Sequence, residues 1–237
     1  MKKAIIIGAT SGMGKELCQI LLANDYQLGI AAPEEDLLEV IKATDPHYIH
    51  TTCYDAIEEE NTPHLNKLAE TLGGLDLLVF CAGIGNFNGS DGHKKENQAN
   101  ELNVLAFTEI AYWAYHFFEQ QGHGHLAAIT SLAGLFGYRK APAYHAAKAY
   151  QIHYLEALRQ KAHRSGKPLY ITDIRPGFVN TQMADEDEKF LTLSRERAAR
   201  EIYKSIKRKN TVTYLSTRWA LIALAVKLLP RALRTRM

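Results

Sequence analysis

Tyr144 and Lys148 stand four residues apart, a spacing that puts both on one face of a helix, where an ammonium can favour ionisation of a phenol. Ser131 lies thirteen residues upstream. A phenol with an ordinary pKa of about 10 shuttles protons poorly near neutrality, so acid–base work by Tyr144 needs a cation such as Lys148 to draw its pKa down. Taken alone, the same spacing also describes an exposed aromatic beside a solvated lysine, and Ser131 also reads as a strand-end cap. The surrounding sequence decides between them.

The chain begins with Lys2-Lys3 and the apolar run Ala4-Ile5-Ile6-Ile7. This runs into Gly8-Ala9-Thr10-Ser11-Gly12-Met13-Gly14 and then the helical spacing Leu17, Ile20, Leu21. Strand, glycine turn and amphipathic helix follow in order. Gly8 allows a tight turn, Gly12 lets backbone approach a phosphate, and Gly14 lets the helix pack close to the strand, while the helix N-terminus offers unsatisfied amides to an anion.

The GxxxGxG spacing of Gly8, Gly12 and Gly14, together with Ser131, Tyr144 and Lys148, resembles the short-chain dehydrogenase/reductase superfamily. Further marks fall in family order: Asp55 after a predicted third strand, Cys81-Ala82-Gly83 after the apolar Leu75–Phe80 segment, Asn103 in a helix, and Arg175-Pro176-Gly177-Phe178-Val179-Asn180-Thr181. The resemblance spans residues 2–183 and implies a role for each. Ser131 would donate to a substrate oxygen and Tyr144 would pass the proton. Lys148 would lower the Tyr144 pKa and bond the nicotinamide ribose, and Asn103 would help hold a water in a proton relay. For the cofactor, the resemblance points to the turn Gly8, Thr10, Ser11, Gly12, Met13 and Gly14. Asp55 would meet the adenine amino group, Ala82 and Gly83 the adenosine ribose, Pro176, Gly177 and Val179 the nicotinamide end, and Thr181 its carboxamide. Cys81 stands where the family usually has an asparagine thought to brace the sheet.

The cofactor is NAD or NADP. The predicted second strand ends in Ala31-Ala32-Pro33-Glu34-Glu35-Asp36. An acidic residue at its end would bond the ribose hydroxyls of NAD, and an arginine would bind the extra phosphate of NADP. Ala32 does neither. Glu34, Glu35 and Asp36 read as carboxylates at a helix start after proline. Ser11 and Lys15 could touch phosphate, which tips the reading slightly to NADP.

Composition bounds the alternatives. The 237 residues are 46% hydrophobic and 23% charged, enough for one large α/β domain. A net charge of +2 gives no field that would recruit nucleic acid. Cys18, Cys53 and Cys81 are scattered without metal-ligand spacing and read as reduced thiols of the cytoplasm. His123-Gly124-His125 reads as a glycine-bearing turn without the further ligands of a zinc site, so no metal is expected. The N-terminal apolar run is too short for a signal peptide or a membrane span.

Seven strand candidates alternate with helical stretches, at 4–8, 27–31, 48–53, 75–81, 126–131, 169–175 and 211–215. That alternation predicts a single doubly wound parallel sheet of Rossmann type flanked by helices, over residues 1–217. The 83–92 segment reads as a loop at the carboxyl end of the fourth strand, where such sheets bind ligands. Helices near 96–121 and 143–165 carry apolar residues on more than one face, including Tyr112, Trp113, Phe117, Phe118, Tyr154 and Leu158. One face covers the sheet and the other predicts a homodimer or homotetramer.

Residues 218–237 form a separate tail, Arg218-Trp219 followed by an alanine- and leucine-rich run to Pro230 and then Arg231, Arg234 and Arg236. It is too short to cross a bilayer. It fits a helix lying in a membrane interface or one packed on the domain or a subunit. Its likeness to the tails of some reductases acting on hydrophobic or lipid-linked substrates is short. With Phe87, Phe136, Tyr138, Phe178 and Met183 near the motifs, it motivates a hydrophobic substrate. The expected function is an NAD(P)-dependent oxidoreductase interconverting an alcohol and a ketone or aldehyde. A dinucleotide-binding sensor without turnover and the ketoreductase half of a redox epimerase are the alternatives.

Overall fold

The computed structural model describes residues 1–85, 92–179, 192–228 and 230. Seven strands alternate with helices along the chain: β1 (Lys2–Ile7), α1 (Gly12–Leu22), β2 (Tyr26–Ala32), α2 (Glu35–Lys42), β3 (Ile49–Cys53), α3 (Asn61–Leu72), β4 (Leu77–Phe80) and α4 (Gly92–Asn100). A π-helical turn over Glu101–Ala106 leads into α5 (Phe107–Gln121). Then come β5 (Gly124–Ile129), a 3₁₀ turn over Leu132–Leu135, α6 (Pro142–Ser165), β6 (Leu169–Arg175), α7 (Arg195–Arg208), β7 (Val212–Tyr214) and α8 (Thr217–Leu228).

The strands form one sheet in the order β3-β2-β1-β4-β5-β6-β7, and each neighbouring pair is parallel. A parallel sheet is covered on both faces, which is why its strands read as apolar runs rather than alternating ones. In β1, Ala4 and Ile6 face a core completed by Leu17 and Leu21 of α1, Leu38 and Ile41 of α2, and Ala198, Ile202 and Ile206 of α7. Ile5 and Ile7 face the opposite core, with Leu65 and Leu68 of α3, Phe107 and Phe118 of α5, and Leu155 and Leu158 of α6.

The strand order reverses between β1 and β4, the switch point at which doubly wound sheets open a crevice beyond their strand ends. Gly8 follows β1 there and Ala82 follows β4. All seven strands of the sequence reading are present, with ends shifted by at most two residues. The exception is His123-Gly124-His125, read as a turn. Gly124 and His125 instead open β5, paired with Leu169 and Tyr170 of β6. Pairing with a neighbouring strand overrides the local turn signal of glycine.

Of the residues named on these two helices, Phe117 and Tyr154 pack half-buried against the core that holds Phe107 and Leu155. Trp113, Phe118 and Leu158 are buried, whereas Tyr112 and Tyr150, with Leu105 of the π turn, are exposed.

Candidate active site

The glycine turn is shaped by close backbone approaches. Gly8 has φ +81°, and a Cβ there would lie 2.7 Å from the Ala82 nitrogen. A Cβ at Gly14 would run into the Gly8 carbonyl oxygen. Both positions need glycine, and they seat the start of α1 directly over the crevice between β1 and β4. Ser11 precedes α1 in extended conformation and its side chain makes no capping bond, so the first-turn amides are not consumed by their own cap. Thr10 is turned to another partner: its hydroxyl donates to Glu34 at 2.9 Å. Glu34 therefore does more than open α2, because its carboxylate reaches back over the glycine turn.

Ser131 lies two residues beyond β5 and caps the 3₁₀ turn, its Oγ accepting from the Ala133 amide at 3.0 Å. Pro142 starts α6 at its first position, which sets Tyr144 in the first turn and Lys148 one turn later. Burial pushes the Tyr144 phenol up, and a hydrogen bond with Ser131 works in the opposite direction. Lys148 Nζ lies 5.7 Å from the Tyr144 ring centroid. It donates to the Ile129 carbonyl at 3.2 Å and to Gln151 Oε1 at 2.9 Å. Burial lowers its pKa to about 7, and Asp173 and Cys81 partly offset that cost. The structure thus brings Ser131, Tyr144 and Lys148 together, with Ser131 the group that draws the phenol toward ionisation.

Asn103 sits in the π turn rather than in regular α-helix, fully buried. Its side-chain amide is occupied by the Ile84 backbone, accepting from the nitrogen at 3.3 Å and donating to the oxygen at 2.7 Å. Its carbonyl accepts from Gln151 Nε2 at 2.9 Å. These contacts brace the segment after β4. Gly83 lies against them, since a Cβ there would be 3.2 Å from Asn103 Oδ1 and 3.4 Å from Lys148 Nζ.

Behind Lys148 lies a buried polar cluster of which the sequence reading named only Arg175. Thr130 donates to Asp173 at 2.6 Å, and Arg175 grips the other carboxylate oxygen through Nε at 2.8 Å and Nη2 at 2.6 Å. Asp173 is fully buried, and Arg175 and Thr130 nearly so. Opposite charges two residues apart in an apolar strand were the available signal, because that spacing puts both side chains on one face.

The remaining cofactor candidates line the strand ends. Asp55 follows β3 and Tyr54, and its Oδ1 accepts from the Ile57 amide at 2.9 Å. Pro176 is tied to the 3₁₀ turn by the Leu132 amide at 3.0 Å. Gly177 lies flat against the Trp219 indole of α8, and Val179 bridges to Leu193. Thr181, Phe87 and Met183 lie outside the described residues. Phe136 and Tyr138 pack on His145, next to Tyr144.

The short chain dehydrogenase family model matches residues 2–191. The chain belongs to the short-chain dehydrogenase family. An uncharacterized oxidoreductase of Mycobacterium tuberculosis is 30% identical over 191 residues, 77% of this chain and 75% of that one. Farnesol dehydrogenase of Aedes aegypti is 26% identical, over 78% of this chain and 80% of the enzyme. Among solved structures, a short-chain dehydrogenase from Sphingobium yanoikuyae in complex with NADPH superposes with a TM-score of 0.82 at 18% identity, covering 98% of both chains.

This short-chain dehydrogenase is therefore an oxidoreductase on an NAD(P)-binding Rossmann fold. Its own residues fit a dinucleotide: the close approaches of Gly8 to Ala82 and of Gly14 to Gly8 fix the turn ahead of α1, and the start of α1, without a side-chain cap, provides amides for a pyrophosphate.

Proposed function

We propose that the protein interconverts an alcohol and a ketone or aldehyde, with Tyr144 as general acid and base. The meeting of Ser131, Tyr144 and Lys148 at the carboxyl end of β5 carries this reading. A bound nicotinamide supplies or accepts the hydride. In the reducing direction Tyr144 gives its proton to the carbonyl oxygen, while Ser131 donates a hydrogen bond to that oxygen. Lys148 has three donors, of which Ile129 and Gln151 take two, leaving one for a ribose hydroxyl. A non-catalytic sensor would have no use for this grouping.

NADP is the favoured cofactor, supported by the NADPH complex of the Sphingobium relative. The Glu34 carboxylate over Thr10 is the group that a ribose phosphate must contend with. A hydrophobic substrate is supported by Phe136, Tyr138 and the exposed Phe178 beside the site, and by the farnesol dehydrogenase relative.

The exposed Leu105, Tyr112 and Tyr150 support a second copy docking on α5 and α6. In α8, Trp219 and Ala223 pack on Leu132, while Leu221, Leu224 and Leu228 face outward. Among the described residues no helix is long and apolar enough to cross a membrane. The outward leucines support a peripheral contact instead, in which they enter an anionic lipid surface.

Titration with NADH and NADPH, followed by a panel of hydrophobic ketones, aldehydes and alcohols, tests the activity. One cofactor should bind in the micromolar range, roughly −8 kcal/mol, and Tyr144→Phe should keep that binding and lose nearly all turnover. Turnover retained in Tyr144→Phe overturns the acid–base role.

A further inference from the structure

Lys148 and Asn103 are joined through one side chain. Gln151 lies on α6 three residues beyond Lys148, fully buried, with its Oε1 accepting from Lys148 Nζ at 2.9 Å and its Nε2 donating to the Asn103 carbonyl at 2.9 Å. Both ends of the amide are matched to what they meet, a donor on one side and an acceptor on the other. The resemblance in sequence implies a water near Asn103 in a proton relay. Here the Asn103 side chain is bound to Ile84 and its carbonyl is held by Gln151.

An amide joining these two groups has a different chemistry from a water. A water accepts one proton as it releases another, so it can conduct. An amide oxygen only accepts hydrogen bonds and an amide nitrogen only donates them. Lys148 to Gln151 to Asn103 is therefore a fixed chain of aligned dipoles that holds the ammonium in place and carries no proton.

We propose that Gln151 is a positioning residue that fixes the Lys148 ammonium to the Asn103 backbone. The inference rests on the reading of Tyr144 and Lys148 as the proton-handling pair. The groups acting on Lys148 from the elements around it are Tyr144 on its own helix, Cys81 after β4, and Asp173 on β6, the last held by Arg175 and Thr130. Only Gln151 and the Ile129 carbonyl accept hydrogen bonds from Nζ among the described residues.

Three variants and two readouts test this. NADPH affinity and kcat/KM are measured against pH for wild type and for Gln151→Leu, Gln151→Glu and Gln151→Ala, with thermal stability as a folding control. Loss of an acceptor in Gln151→Leu disfavours the ammonium, so the pH at which affinity and turnover fall off on the alkaline side should drop by roughly one unit. Gln151→Glu places an anion at the same point and should move that limb upward. In Gln151→Ala, a crystal structure should show a water joining Lys148 Nζ to the Asn103 carbonyl, with the limb nearer wild type than in Gln151→Leu. Variants that lose thermal stability but share one alkaline limb would make Gln151 a packing residue and overturn the proposal. Failure of wild type to bind NADPH or NADH at any pH would overturn the parent reading instead, so the two failures are distinct.

Discussion

The Thr10 hydroxyl donates to the Glu34 carboxylate at 2.9 Å, which sets a negative charge over the glycine turn where β1 and β2 end. A ribose bearing a 2′-phosphate brings two further negative charges to this edge of the fold, and like charges at short range repel. Replacing Glu34 with Gln keeps the bond to Thr10 and removes the charge. Glu34→Gln should therefore raise the ratio of NADPH to NADH affinity by about tenfold, or about 1.4 kcal/mol, and Glu34→Arg should raise it further. Fluorescence titration with both cofactors reads the ratio directly. An unchanged ratio in both variants would mean that Glu34 does not meet the adenosine ribose.

His125 carries a prediction about acid stability. It is buried in β5, pairs with Thr172 at 2.8 Å, and burial together with Lys209 lowers its pKa to about 4 from an ordinary 6.5. The unfolded chain binds a proton near pH 6.5 that the folded chain refuses until about pH 4. Between those values the unfolded state holds more protons, so stability falls as pH falls. The contribution is intact above pH 6.5 and declines to a loss on the order of 3 kcal/mol near pH 4. Denaturant melts of wild type and His125→Gln at pH 7.5 and pH 4.5 test this. The stability gap between the two should shift in favour of His125→Gln at the lower pH, and a constant gap would remove His125 as a source of acid lability.

The sheet was legible because parallel strands covered on both faces must be apolar throughout, as Ile5-Ile6-Ile7 and Leu77-Leu78-Val79-Phe80 are. The glycine turn and the Tyr144–Lys148 pair were legible because their spacing is local. What stayed hidden depends on contacts between residues remote in sequence. Glu34 is 24 residues from Thr10, and Gln151 is 48 from Asn103. A polar residue on a helix reads as solvated until the packing of α6 on the π turn puts it inside. The tail was half legible. Its apolar run announced a helix, but only the bare face of Gly177 explains why Trp219 turns inward.

Asp173 and Arg175 form a pair that one-sided removal should expose. Burial disfavours the Arg175 guanidinium, yet the Asp173 contact more than offsets this and holds its pKa above the ordinary value. Asp173→Ala would leave the arginine charge buried and unpaired, a loss of roughly 3–5 kcal/mol. It would also remove the anion that favours the Lys148 ammonium. A double variant, Asp173→Leu with Arg175→Met, should recover much of the stability without recovering turnover at alkaline pH. Thermal melts alongside pH–rate profiles separate the two effects. Full recovery of the alkaline limb in the double variant would show that Asp173 acts on Lys148 only through the fold.

Trp219 connects the tail to the site. Its indole covers Gly177, meets the Phe178 ring edge-on at 5.4 Å, and packs with Leu132 and Ala223 in a small cluster apart from the two main cores. Leu132 follows Ser131, and Gly177 follows the Pro176 whose carbonyl accepts from the Leu132 amide. Undocking α8 therefore loosens both strand ends that flank the reacting atoms. Trp219→Ala should cost about 3 kcal/mol locally, raise amide exchange in α8 and around 176–178, and lower kcat/KM about tenfold, since small misplacements at a reacting centre are costly. Gly177→Ala should act in the same direction, because its methyl group would occupy the space of the indole. Leu221→Ser, on the outward face, should leave turnover of a soluble substrate unchanged. If Trp219→Ala frees α8 in exchange measurements yet keeps full turnover, the tail serves the protein's surface and has no part in holding Ser131.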